Sequence, residues 1–173
     1  MNLEQVIRNI PDFPQPGIQF KDITTLLLNP EAFRFVIDTW AERYGARKLD
    51  AIIGADARGF IFGSALAYKL GLPLVLVRKL GKLPGKTIQE EFELEYGTAT
   101  FEIHSDALQK GDRVLLVDDL LATGGTMYAM VRLAERLGAT VDEIAFVVEL
   151  PPLKGRERLN GYAVHSLVQF MVE

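Results

Sequence analysis

The spacing of apolar and polar positions changes repeatedly along this chain between a helical and a strand-like period. Leu3, Val6, Ile7 and Ile10 recur at helical spacing and predict a short opening helix. Pro11, Pro14, Pro16 and Gly17 interrupt it. Asn29 and Pro30 suit an N-cap and a first helical position. Behind them Phe33, Val36, Ile37, Trp40 and Tyr44 form one apolar face, which Gly45 ends. Residues 51–53 predict a short strand, 61–70 a helix closed by Gly71, and 74–77 a buried strand. The stretch 79–89 holds three lysines among glycine and proline and has little period, so it reads as a long exposed loop. Phe92, Leu94 and Tyr96 then alternate with acids, and Ala99, Phe101 and Ile103 follow Gly97. This predicts two antiparallel strands joined at Tyr96-Gly97. Residues 114–117 and 144–148 are continuously apolar strands. Between them Met130, Leu133, Ala134 and Leu137 give a helix stopped by Gly138. Strands and helices alternate, and short apolar strands are what a parallel sheet covered on both faces requires. The fold class is therefore α/β, with a central, mainly parallel sheet flanked by helices. The proline-rich start and the Pro151-Pro152 tail read as additions to one domain spanning 1–173.

Composition narrows the function classes. The 173 residues hold 19 Lys plus Arg against 23 Asp plus Glu, a balance that gives no electrostatic case for a nucleic-acid partner. With no cysteine there is no disulfide framework, thiolate metal site or thiol nucleophile. His104 and His165 are too isolated for a histidine metal site or a triad. No apolar run approaches the roughly 18 residues of a membrane helix, and no signal peptide is read at the start, so a cytoplasmic location and no membrane partner are expected.

The most informative segment is VLLVDDLLATGGT, 114–126. An apolar strand ends in Asp118 and Asp119. The small-residue loop Ala122-Thr123-Gly124-Gly125-Thr126 follows and opens a helix. Its backbone N–H groups, the helix N-terminus and two hydroxyls make a phosphate cradle. It is not a P-loop, because no Gly-Lys-Ser/Thr follows. The acids suit a sugar diol or a magnesium ion, so cradle and acids together describe a site for a ribose 5-phosphate. A second loop, Asp56-Ala57-Arg58-Gly59, follows a buried strand and precedes a helix. Its amides and Arg58 suit a diphosphate, and a surface arginine at a helix start is the other reading. Arg78, Lys79, Lys82 and Lys86 form a local cationic cluster that reads as an anion lid or as a solvated loop. Lys154, Arg156 and Arg158 read as a solvated basic face. On spacing alone Glu95 is the polar face of an alternating strand, and Phe20, Leu150 and Trp40 are core residues.

The 114–126 segment resembles the phosphoribosyl-diphosphate motif of type I phosphoribosyltransferases. PDFPQPGIQFKDITTLL near the start, ADARGFIFG at 55–63, VRKLGKLPGKT at 77–87, LEYG at 94–97 and ELPPLKGRERL at 149–159 are similar to the adenine-specific branch, in order and spacing. The resemblance implies a type I phosphoribosyltransferase-like fold with a flexible lid, about 79–98, over the C-terminal strand edge. It also implies a base-binding hood from the two terminal segments. The implied reaction, in purine salvage, converts adenine and 5-phospho-α-D-ribose 1-diphosphate to AMP and diphosphate, with Mg2+ and in a homodimer.

The same resemblance distributes the residues. Asp118, Asp119 and 122–126 would bind ribose 5-phosphate. Asp56, Ala57, Arg58, Gly59, Arg78, Lys79 and Lys82 would bind diphosphate. Magnesium would be held mainly by the substrate, with Asp118 and Asp119 in direct or water-mediated contact. Lys79, Gly81, Lys82, Pro84, Gly85, Lys86 and Tyr96 would form the lid, and Glu95 would manage the base's proton. Arg58, Asp118, Asp119 and Glu95 would be the catalytic set. It also places a cis peptide at Asp56-Ala57. Phe20 and Leu150 would sandwich adenine, with Gln19 and Lys21 at its edge. Relatives often carry an aliphatic residue in place of Gln19 and Arg in place of Lys21. Main-chain contacts to the base would tolerate both changes; side-chain contacts would not. A 6-oxo purine transferase and a phosphoribosyl-diphosphate sensor share the cradle. The retained Arg58 and lid cations speak against the sensor, and the terminal segments resemble the adenine branch.

Overall fold

The computed structural model describes residues 1–94 and 97–171. Its main sheet has seven strands in the order β5-β6-β4-β3-β7-β8-β9. These are β3 (Ala51–Ala55), β4 (Leu74–Lys79), β5 (Thr87–Glu93), β6 (Thr98–His104), β7 (Arg113–Leu121), β8 (Thr140–Glu149) and β9 (Val164–Gln169). β3, β4, β7, β8 and β9 pair in parallel, while β5 and β6 are antiparallel and attach to β4 through β6.

Alternation along the strands divides the core into two layers. Ile52, Leu115, Val117, Ala145 and Val147 meet α3 (Pro30–Tyr44) and α4 (Arg58–Leu70) on one face. Ile53, Val114, Leu116, Ile144 and Phe146 meet α5 (Gly125–Arg136) on the other. The central strands β3, β7 and β8 are buried on both sides, which is why they read as unbroken apolar runs. Asn29 caps α3 as expected, its side chain accepting from the N–H groups of Glu31 and Ala32. Gly71 closes α4 in the left-handed conformation.

Four sequence expectations change. The opening helix α1 is only Leu3–Val6; Ile10 belongs to strand β1 (Arg8–Pro11), which pairs with β2 (Gln19–Asp22) in a separate ribbon. Three apolar residues at helical spacing cannot outweigh the prolines and the cross-strand partner that follow. The long loop 79–89 shrinks to 80–86, because Gln89 pairs with Glu102 inside the β5–β6 hairpin. β7 does not stop before the acids but runs to Leu121, held by β8. The C-terminal tail is part of the fold: a 3-10 turn at Pro151–Leu153, α6 (Gly155–Arg158) and edge strand β9. A further short helix, α2 (Thr24–Leu27), links the ribbon to α3.

The connectivity selects one crevice. β3 leads through α4 to β4 on one side, and β7 leads through α5 to β8 on the other. The gap beyond the carboxyl ends of β3 and β7 is thus the topological switch point, where open α/β sheets bind ligands.

Candidate active site

A cavity of about 410 Å³ occupies that crevice. Asp56, Ala57, Arg58, Lys79, Asp118, Asp119 and all five residues of 122–126 line it. Three separate sequence segments therefore converge on one hollow of ligand size.

β3 gives out one residue short of the acids: its last partner on β7 is Val117, opposite Gly54. From Asp118 onward that edge of β7 is free and faces the crevice, while β8 still holds the other edge. Asp119 is buried and pairs with Arg58, Nε to Oδ2 at 2.6 Å. Asp118 accepts the Asp119 N–H at 2.8 Å. Burial first, and then the charge of Asp119, push the Asp118 carboxyl well above its ordinary value of 3.8. Two carboxylates side by side at the base of the crevice form a site that gains from donors such as hydroxyls or a cation.

The first turn of α4 closes one wall. Gly59 sits so close to β7 that a Cβ there would lie 3.0 Å from both Asp118 Oδ1 and the Val117 carbonyl. The helix can approach the acids only because no side chain intervenes. The peptide before it, Asp56-Ala57, is cis, as the resemblance implied. The opposite wall is the cradle, where α5 begins at Gly125 with its first-turn N–H groups free of intrahelical partners. α6 supports this loop from behind: a Cβ on Gly155 would lie 2.5 Å from the Ala122 carbonyl.

The other expected site residues fall around this centre in different ways. Arg78 turns to Asp56, Nε to Oδ2 at 3.3 Å, and lies over the Phe60 ring, so it braces the wall rather than lining it. Lys82 gives its backbone N–H to Glu102. Phe20 lies beneath Arg58, whose guanidinium carbon is 5.9 Å from its ring centroid, and packs edge-on against Phe13. Leu150 is buried beside the loop, its N–H donating to the Leu121 carbonyl. Gln19 and Lys21 are engaged elsewhere: Gln19 Oε1 accepts from Asn9 Nδ2 at 2.7 Å, and Lys21 Nζ donates to Asn9 Oδ1 at 2.8 Å and sits over Phe170. Strand alternation explains this, since neighbours of Phe20 on β2 point away from it. Glu95 and Tyr96 lie outside the described residues.

The solvated basic face at 154–158 is only partly that. Arg156 forms a two-pronged pair with buried Glu149, Nε to Oε2 at 2.8 Å and Nη2 to Oε1 at 2.9 Å. Burial opposes ionisation of Glu149, but hydrogen bonds from Arg156 and Ser166 outweigh it and hold the carboxyl below its usual range. Sequence reading missed Leu120, Leu121, Met127 and Phe146 as cavity-lining residues. Phe146 lies opposite Asp118 in the β7–β8 register, a signal available only once the strands are paired.

The phosphoribosyl transferase domain model matches residues 22–169. The adenine phosphoribosyltransferase of Roseiflexus sp. (strain RS-1) is 57% identical over 169 residues, covering 98% of both chains. Among solved structures, the adenine phosphoribosyltransferase of Thermoanaerobacter pseudethanolicus superposes with a TM-score of 0.93 at 53% identity, over 96% of this chain and 97% of that one. The Saccharomyces cerevisiae enzyme, complexed with an imino-altritol bisphosphate and adenine, gives a TM-score of 0.91 at 42% identity, over 95% and 96% of the two chains.

Proposed function

We infer that this chain, which belongs to the adenine phosphoribosyltransferase family, transfers the 5-phosphoribosyl group of 5-phospho-α-D-ribose 1-diphosphate to adenine, giving AMP and diphosphate. The observation that carries this reading is the joint lining of one cavity by the acid pair, the cradle, Arg58 and Lys79.

In this reading the cradle amides and the hydroxyls of Thr123 and Thr126 hold the 5-phosphate. Asp118 and Asp119 accept from the ribose diol. The Ala57-Arg58-Gly59 turn and Lys79 hold the diphosphate, with Arg78 bracing Asp56 and Lys82 on the lid. The C1–O bond to diphosphate breaks, the C1–N9 bond to adenine forms, and the N9 proton leaves, with Glu95 assigned to that proton. Negative charge grows on the departing diphosphate, and fixed cations around it lower the barrier most at an oxocarbenium-like transition state. Arg58 starts paired to Asp119. A diphosphate would compete for Arg58 and free Asp119 for the diol, so one substrate serves both halves of the pair.

Among the described residues no three His, Cys, Asp or Glu side chains gather as a metal set. Two carboxylates beside a polyphosphate site fit magnesium, which binds one or two acids and completes its shell with phosphate and water. Asp118 and Asp119 would hold it, and when bound it neutralises diphosphate charge. Phe20 and Leu150 are assigned to the faces of adenine, under a hood made by the terminal segments of a single domain. Side-chain engagement of Gln19 and Lys21 with Asn9 supports a base edge read by main chain.

Ile61 and Tyr68 of α4, Leu76 of β4 and Leu80 just after it are exposed, Tyr68 to 91%. That apolar surface supports a homodimer. Sedimentation equilibrium is expected to give twice the chain mass, and a single-chain mass at micromolar concentration contradicts it. A role in purine salvage accords with the reaction, and a cytoplasmic location is part of the same proposal.

The test is a product assay with phosphoribosyl diphosphate, magnesium and each of adenine, guanine, hypoxanthine and xanthine. AMP alone is expected. A 6-oxo nucleotide would overturn the base assignment, and no nucleotide from any base would overturn the reaction.

A further inference from the structure

Glu102 lies on β6, buried to 3% exposure, directly behind the cationic end of β4. Its Oε2 accepts the backbone N–H groups of three consecutive loop residues: Gly81 at 2.7 Å, Lys82 at 3.2 Å and Leu83 at 3.4 Å. Its Oε1 accepts the Thr87 hydroxyl at 2.8 Å. Immediately before this loop, Lys79 lines the cavity, and its N–H points to Asp56 Oδ2 at 3.4 Å. Two carboxylates thus clamp the strand end, one on each side of Lys79. At the loop's far end, His104 Nε2 lies 2.7 Å from the Pro84 carbonyl.

An acid behind an anion site would ordinarily weaken it. Here the charge is dispersed over three converging amide dipoles and a hydroxyl. Burial opposes ionisation of Glu102, yet the hydrogen bonds from Thr87 and from the Leu83, Gly81 and Lys82 N–H groups outweigh it and hold the carboxyl below its usual range. Among the described residues Glu102 pairs with no lysine or arginine, and Lys79 and Lys82 pair with no acid side chain. Backbone, not side-chain cations, neutralises the buried charge, which leaves both ammonium groups for a ligand.

We propose that Glu102 is a positioning residue for the diphosphate: it fixes the Gly81-Lys82-Leu83 backbone so that Lys79 and Lys82 meet the leaving group at a set distance. This rests on the transfer reaction proposed above. Glu102 touches no substrate and acts through the two lysines.

The test is steady-state kinetics in both directions on the full chain. Glu102→Ala removes every acceptor. Glu102→Gln keeps a carbonyl for the amides and turns its NH2 to the Thr87 hydroxyl. Glu102→Ala is expected to raise KM for phosphoribosyl diphosphate, and for diphosphate in the reverse reaction, about tenfold. KM for adenine and AMP should stay within about twofold, and Glu102→Gln should recover most of the loss. Unchanged KM values, a common rise in all four, or a Gln variant as poor as Ala would overturn the proposal. If Glu102→Ala does not fold, amide exchange in the wild-type chain decides. Exchange of Gly81, Lys82 and Leu83 slowed more than about tenfold supports the clamp, and exchange at free-amide rates removes it. A wild-type chain that makes no AMP fails earlier, at the reaction itself, and takes this proposal with it.

Discussion

Asp118 shows at a single residue how a site can be kept ready at the expense of fold stability. Its carboxyl is raised by burial and by Asp119. A raised carboxyl stabilises the fold while protonated, below its unfolded value, and loses that contribution as pH rises through the folded value. The wild-type chain therefore carries a stability cost that grows as pH rises above the unfolded value. Asp118→Asn removes it, so the variant should melt about 2–4 °C above wild type at pH 8 for each kcal/mol relieved. The gain should vanish by pH 4. Thermal melts across that range check this, and a variant less stable than wild type at pH 8 contradicts it. That Asp118 and Asp119 stand together with the 122–126 loop was legible from residue type and neighbours. The role of Gly59 was not, because only the approach of α4 to β7 shows that a methyl group there would strike the Asp118 carboxylate.

At the scale of elements, the cradle depends on a helix that carries no ligand contact of its own. α6 packs so tightly that Gly155→Ala would drive a methyl group to 2.5 Å from the Ala122 carbonyl. The loop must shift, and its phosphate amides with it. Affinity for phosphoribosyl diphosphate is expected to fall about tenfold, read by calorimetric titration, because sub-ångström misplacement of preorganised donors is costly. Unchanged affinity would show that the loop is held from elsewhere. Long periodic or fully apolar elements such as α3, α5, β7 and β8 were readable because burial dictates their pattern. β1, β2, α6 and β9 were missed. Each is only four to six residues long, and the three strands among them are held by cross-strand pairing that no local period announces.

For the molecule as a whole, the topology does the assembling. Two crossovers leaving adjacent strands in opposite directions bring residues 56–58, 79 and 118–126 to one crevice, a convergence that no local pattern contains. The chain ends meet on one side, where α1 packs near β9 and Lys21 covers Phe170. Motif reading grouped 122–126 with the two acids, which the cavity joins, and gave Arg78 and Lys82 to the diphosphate without naming the acids that hold them. Their partners, Asp56 and Glu102, lie 22 and 20 residues away.

The central claim is that Asp118 and Asp119 meet the ribose of a phosphoribosyl substrate held by 122–126. The most direct measurement is turnover of the Asp118→Asn, Asp119→Asn double variant beside wild type, with circular-dichroism melts of both. AMP formation should fall by at least about a hundredfold with the fold retained, as expected when charged acceptors at a reacting centre are lost. Wild-type kinetics in a folded double variant would contradict the account.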